Sequence, residues 1–115
     1  MKLLYVDDED INLFLFQATF SSEFEIYTAI GGNEALEILK ENEEIKTVIS
    51  DMRMPKMDGL EFVKRAKKQF SGIKFYLLSG FQKSPEIEKA LEEQLICRYF
   101  TKPFKSEIIL HELLG

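Results

Sequence analysis

Short apolar runs alternate along this chain with polar breaks and with apolar positions spaced three or four apart, the pattern of strands interleaved with helices. Leu3-Leu4-Tyr5-Val6 stops at Asp7-Asp8-Glu9-Asp10, after which Ile11, Phe14, Leu15 and Ala18 recur at helical spacing: strand, acidic turn, helix. Ile26-Tyr27-Thr28-Ala29 reads as a second strand and Gly31-Gly32 as a turn. Ala35, Ile38 and Leu39 then mark the inner face of a second helix that ends in the solvated Glu41 to Glu44 run. Val48-Ile49-Ser50 is the third strand, and Phe62, Val63, Ala66 and Phe70 line a third helix whose outer face carries Lys64, Arg65, Lys67 and Lys68. Phe75-Tyr76-Leu77-Leu78, halted by Ser79-Gly80, is the fourth. Ser84-Pro85-Glu86 opens a fourth helix with a side-chain cap and a proline in the first turn, continued by Ile87, Ala90 and Leu91. Arg98-Tyr99-Phe100, closed by Thr101-Lys102-Pro103, is a short fifth strand. Ile108, Ile109, Leu113 and Leu114 hold the last helix.

Strands alternating with helices predict a parallel sheet covered on both faces, joined by right-handed crossovers. The near-continuous apolar character of the strands fits burial on both sides. The expected fold is α/β: a flavodoxin-like, doubly wound (βα)5 three-layer sandwich, its five strands in the order 2-1-3-4-5. In such a sheet the carboxyl ends of all strands open on one edge, and ligands bind where the strand order reverses. That edge would gather Asp7 and Asp8 after the first strand, Asp51 after the third, Ser79 after the fourth and Lys102 after the fifth.

Asp51 occupies the tip of the best-marked strand. Pro55 denies the following loop a backbone donor and disfavours helix at Met54, while Asp58 and Glu61 have the spacing of a capping box at the next helix start. A carboxylate at the lip of an apolar strand, with no partner nearby in sequence, needs solvent or a cation.

Composition narrows the field. A chain of 115 residues that is 45% hydrophobic suits one domain over residues 1–115 with a real core. Its 15 Lys and Arg against 20 Asp and Glu give a formal charge of -5, which disfavours direct binding to nucleic acid and favours a protein partner. One cysteine, Cys97, rules out an internal disulfide and a cysteine-built zinc site and suits a reducing compartment, with the side chain expected inside as a small apolar residue. No run is long enough for a membrane span, and Met1 to Val6 is too short for a signal peptide, so a cytoplasmic location is expected. His111 is expected at the surface near a helix end, and Met52, Met54 and Met57 as gap-fillers rather than ligands.

Two unit charges about 4 Å apart repel by roughly 4 kcal/mol at an effective dielectric of about 20, and three gathered carboxylates carry that penalty more than once. Oxygen ligands with room for water and phosphate oxygens suit Mg²⁺ better than a closed calcium cage. Lys102 and the Ser79 hydroxyl would serve the remaining oxygens of a phosphoryl group, with Asp51 as its acceptor.

Asp7-Asp8, Asp51 with Met54-Pro55 and Asp58-Gly59, Ser79-Gly80 and Lys102-Pro103-Phe104 together resemble the receiver domain of bacterial two-component response regulators, chemotaxis regulators among them. The resemblance spans the whole chain. It implies that Asp51 takes a phosphoryl group, in a Mg²⁺-dependent reaction, from a phosphohistidine on a sensor histidine kinase or phosphotransfer protein. It implies metal ligation by Asp8, Asp51 and the backbone carbonyl of Arg53, with Asp7 acting mainly through a bound water, and a cis bond between Lys102 and Pro103. It further implies a switch in which Ser79 moves toward the phosphoryl group and Tyr99 turns inward. The surface of the fourth helix, fifth strand and fifth helix would then address a protein target, a fused effector domain or a second copy of the chain. On this reading the protein is not an enzyme toward other substrates; it catalyses only its own phosphorylation and dephosphorylation.

Arg53 and Phe81, two residues beyond Asp51 and Ser79, are expected beside the path of the water that hydrolyses the acyl phosphate. Gln94 stands where the family often has glycine at the end of the fourth helix. The first helix carries more large apolar residues than one face needs, since Leu13, Phe16 and Phe20 join Ile11, Phe14 and Leu15, so it is either deeply packed or presents a contact patch. An aspartyl phosphohydrolase would resemble Asp-x-Asp after the first strand, where Glu9 stands instead. A nucleotide-binding module would need a glycine-rich phosphate loop, and Gly31-Gly32 is not one. A receiver-shaped protein acting by contact alone would not need the intact constellation.

Overall fold

The structure, a computed structural model, describes residues 1–80 and 82–115. Five parallel strands, β1 (Lys2–Val6), β2 (Glu25–Ala29), β3 (Thr47–Asp51), β4 (Lys74–Ser79) and β5 (Arg98–Thr101), form one sheet in the order β2-β1-β3-β4-β5. Helices α1 (Asp10–Phe20), α2 (Gly32–Glu41), α3 (Gly59–Gln69) and α4 (Pro85–Glu92) make the four crossovers, and α5 (Ser106–Leu114) follows the last strand. The expected fold and strand order are those observed.

Because side chains alternate across a strand, each strand feeds two cores. Leu4, Val6, Val48, Phe75 and Leu77 point to α2, α3 and α4, where Leu39, Phe62, Val63, Ala66 and Ile87 close a mainly aliphatic layer. Leu3, Tyr5, Ile49, Tyr76, Leu78 and Phe100 point to α1 and α5 and meet Leu13, Phe16, Phe20, Phe24 and Ile109. Aromatic rings dominate this second layer: Tyr5 stacks on Phe16 with centroids 4.0 Å apart, and Tyr76 on Phe100 at 5.8 Å. A ring of this size, fully buried as Phe16, Phe20 and Phe62 are, stabilises the fold by roughly 2–3 kcal/mol. β2 and β5 are sheet edges, so most of their residues, Ala29 and Phe100 excepted, are only partly covered, unlike those of β1, β3 and β4.

Local signals set the helix ends. Asp58 Oδ1 accepts the Glu61 N–H at 2.8 Å, but the reciprocal half of the capping box is missing, because the Glu61 carboxylate pairs with Arg65 at 2.6 Å. Ser84 Oγ caps α4 by accepting the Ile87 N–H at 3.2 Å, with Pro85 in the first turn. Past the end of α4, Gln94 adopts φ 60°, the left-handed conformation for which glycine is the default. A non-glycine residue there costs roughly 1 kcal/mol.

Both alternatives left open for α1 hold on different faces, and one expectation, the burial of Cys97, is corrected. The face of α1 that packs on the sheet carries Leu13, Phe16 and Phe20, whereas Ile11 (61% exposed), Phe14 (68%) and Leu15 (48%) point outward. Cys97 is exposed rather than buried, since it immediately precedes a four-residue edge strand, where its backbone N–H donates to Phe75 O at 2.7 Å. In α5 the burial centres on Ile109, while Ile108 and Leu114 are exposed. Met57 is buried and Met52 and Met54 pack against the aliphatic layer, as gap-fillers do. His111 is exposed in the last turn of α5. Among the described residues no helix is long and apolar enough to cross a membrane.

Candidate functional site

Sheet register brings the acids together. Val6 pairs with Ser50 across β1 and β3, so the next residue on each strand, Asp7 and Asp51, meets its counterpart at the carboxyl edge. Asp7 shares a face with Tyr5 and Asp51 with Ile49, so both carboxylates lean toward the α1 and α5 side. Lys102 reaches the same spot because Phe100 lies on that face of β5 and the Lys102 N–H is fixed to Ser79 O at 2.8 Å. The Lys102–Pro103 bond is cis, as the family resemblance implies. Gly59 anchors the other side. Its N–H donates to Met52 O at 2.8 Å, and a Cβ there would lie 2.5 Å from Asp51 O, so only glycine lets α3 start this close to the acid-bearing strand end.

Within the site, Lys102 Nζ lies 3.1 Å from Asp7 Oδ2 and 3.3 Å from Asp51 Oδ2. Asp7 is fully buried and takes four donors: Tyr5 Oη (2.8 Å) and Lys102 on Oδ2, the Glu9 N–H (3.0 Å) and Asn12 Nδ2 (3.4 Å) on Oδ1. Asp51 is buried as well, whereas Asp8 faces solvent. Ligand oxygens of Asp7, Asp8 and Asp51 lie within 4.8 Å of one another. Among the described residues, the Lys102 ammonium thus meets two of three gathered carboxylates, with Asp8 beside them.

The electrostatics follow from that imbalance. Burial pushes the Asp51 carboxyl above its ordinary range against the pull of Lys102, and the Asp7 charge adds to the push. Burial alone would lower the Lys102 ammonium, but its hydrogen bond to Asp7 and the charges of Asp51 and Asp7 outweigh that and hold it above its usual value. Burial, with the Asp7 charge behind it, raises the Tyr5 phenol far above its ordinary range, so Tyr5 remains a proton donor. The donor set fits a hard divalent cation: oxygen only, with one solvent-facing carboxylate leaving room for water.

The structure brings Asp7, Asp8, Asp51 and Lys102 together as expected. Ser79 is buried at the end of β4, beside the groove that Met52, Arg53, Asp58 and Ser84 also line. Arg53 is exposed, and its backbone N–H bonds the Asp51 side chain. Tyr99 is half-buried on β5 against the aliphatic layer, away from the acids. The expectation for Phe81 lies outside the described residues. Tyr5 and Asn12 are members of the site that sequence reasoning missed. A tyrosine two places before an acid in an otherwise aliphatic strand was the available signal, since such residues share a face.

A doubly wound sheet of this order, with an acid-lined pocket at the switch point, defines a receiver-type fold. The sequence matches the response regulator receiver domain family over residues 3–114, and the chain belongs to that family. It is 32% identical over 122 aligned residues to a chemotaxis protein CheY homolog of Campylobacter jejuni, with 100% of this chain and 93% of the relative covered. Chemotaxis protein CheY4 of Vibrio cholerae superposes with a TM-score of 0.86 at 30% identity, over 98% of this chain and 95% of that one. A signal receiver domain of an HD domain-containing protein from Pseudomonas fluorescens gives 0.90, also at 30% identity, over 98% and 90%. The chain is thus a receiver domain of the CheY-like response regulators.

Proposed function

We propose that this receiver is the phosphoacceptor of a two-component phosphorelay, modified on Asp51 in a Mg²⁺-dependent reaction. The observation that carries the reading is the convergence of Asp7, Asp8 and Asp51 on one pocket in which Lys102 meets both Asp7 and Asp51. Asp8, Asp51 and the Arg53 carbonyl would hold the metal, with Asp7 contributing mainly through a water. When bound, Mg²⁺ offsets the combined charge of the carboxylates and the incoming phosphoryl oxygens.

An Asp51 oxygen attacks phosphorus in line. The new O–P bond forms as the N–P bond of the donor's phosphohistidine breaks, and the imidazole nitrogen keeps the electron pair. Lys102 offsets the charge spread over the phosphoryl oxygens, and the Ser79 hydroxyl donates to one of them. Hydrolysis of the acyl phosphate resets the site, with Arg53 beside the path of the attacking water. The chain has no other turnover in this reading and works in the cytoplasm.

Phosphorylation draws Ser79 toward the new group and lets Tyr99 turn inward, a population shift that alters the surface of α4, β5 and α5. A protein target, an appended effector domain or a second copy of the chain reads that surface. The donor, by contrast, approaches from the α1 side. Ile11, Phe14 and Leu15 form an exposed apolar patch on the helix that starts beside Asp7 and Asp8, so a macromolecule reaching Asp51 covers it. Replacing Phe14 with serine should slow transfer from a phosphohistidine protein several-fold and leave labelling by acetyl phosphate unchanged.

Incubation with acetyl phosphate and Mg²⁺, followed by intact mass, tests the reading. The parent should gain one base-labile phosphoryl group and Asp51→Asn none. An unlabelled parent, or a labelled Asp51→Asn, overturns it.

A further inference from the structure

The phosphoacceptor reading leaves the buried Tyr5 hydroxyl unused. Tyr5 is 1% exposed, its ring is fixed in a stack on Phe16, and its hydroxyl donates to Asp7 Oδ2 at 2.8 Å. Lys102 donates to that same oxygen at 3.1 Å while standing 3.3 Å from Asp51 Oδ2. The two donors differ in mobility. Tyr5 is locked in the core, whereas Lys102 is half-buried on a flexible four-carbon stem. A phosphoryl group arriving on Asp51 needs that ammonium, and the more Lys102 turns to it, the less it serves Asp7. Asp7 is fully buried, and a carboxylate oxygen left there without a donor is costly.

We propose that Tyr5 is a positioning residue of the phosphoacceptor site, whose hydroxyl holds Asp7 Oδ2 so that Lys102 is free to move from Asp7 to the incoming phosphoryl group. Oδ1 is held separately by the Glu9 N–H and Asn12, so the carboxylate keeps its orientation as the lysine turns. Without the tyrosine hydroxyl, Lys102 becomes the sole donor to Oδ2 and is bound there more firmly. The phosphoryl group then competes against a stronger Asp7–Lys102 pair. The metal side responds in the opposite sense, because a carboxylate relieved of one donor is the better partner for a cation.

The test compares the parent with Tyr5→Phe, which keeps the stacked ring and removes only the hydroxyl. Beryllofluoride binding in saturating Mg²⁺ and the acetyl phosphate labelling rate should both fall about tenfold, the worth of one hydrogen bond to a charged group. Mg²⁺ affinity, measured by calorimetry without beryllofluoride, should hold or tighten. In a Lys102→Ala background the tyrosine substitution should no longer affect beryllofluoride binding, because the effect runs through the lysine. Meta-fluorotyrosine at position 5, a stronger donor on the same ring, should shift beryllofluoride affinity the other way; it decides the matter even if the phenylalanine variant folds poorly. Parent-like beryllofluoride binding in both variants, or parallel weakening of metal and beryllofluoride in Tyr5→Phe, overturns the role given to Tyr5. A parent that binds no beryllofluoride overturns the phosphoacceptor reading itself.

Discussion

The two ends of the sheet treat charge in opposite ways. At the amino end Lys2 sits between Glu44 at 2.7 Å and Glu25 at 4.0 Å, with both acids more than half exposed, so water screens whatever imbalance remains. At the carboxyl end Asp7 and Asp51 are buried, Lys102 is the ammonium that meets both, and Asp8 stands beside them. Similar side chains thus form an inconsequential surface cluster at one end and an under-neutralised pocket at the other. The difference lies in topology. Parallel strands deliver all their carboxyl tips to one edge, and the crossover helices that start there bury what those tips carry.

The contrast can be broken most forcefully at Lys102. Replacing it with methionine leaves Asp7 and Asp51 facing each other without their shared cation, and should cost roughly 2 kcal/mol in metal-free buffer, a discounted figure because the lysine is partly exposed. Mg²⁺ should restore part of the loss. Thermal melts with and without the metal read both.

Asp51→Asn should act in the other direction, raising Tm by a few degrees at neutral pH without metal. Burial and Asp7 hold the folded-state pKa of Asp51 above its unfolded value. The folded protein therefore binds the extra proton through that window, and stability contributed by this site falls as pH rises through it. The penalty is fully present above the raised pKa and absent below the ordinary carboxylate range. The gap between variant and parent should be widest near neutrality and close on acidification, which a series of melts across that range checks. The smallest effect belongs to the other end: Glu44→Gln should leave Tm within error of the parent, since its partner and its own carboxylate are solvated. A large loss there would erase the contrast.

Much of this was legible in the sequence because the strands announce themselves. Apolar runs stopped by Asp7, Asp51, Ser79 and Lys102 give both the sheet and the contents of its edge. The face of α1 was not legible, because Ile11, Phe14 and Leu15 fit a helical face as well as Leu13, Phe16 and Phe20 do. Which set goes inward depends on where the chain turns out of β1. That turn is fixed by one tertiary bond, Asp7 N–H to Ala29 O at 3.0 Å, by the local bond from Glu9 N–H to Asp7 Oδ1, and by the Tyr5–Phe16 stack. Cys97 was misplaced for a related reason. Its residue type favours the interior, but its position at the mouth of an edge strand decides the matter. Tyr5 reads as one more core residue until the structure shows its hydroxyl on Asp7.

A calorimetric titration of Mg²⁺ into the parent and into Asp51→Asn probes the under-neutralised pocket most directly. The account predicts one equivalent bound by the parent, with Tm rising as the site fills, and markedly weaker binding by the variant. A parent that takes up no Mg²⁺, or a variant that binds it equally well, would contradict it.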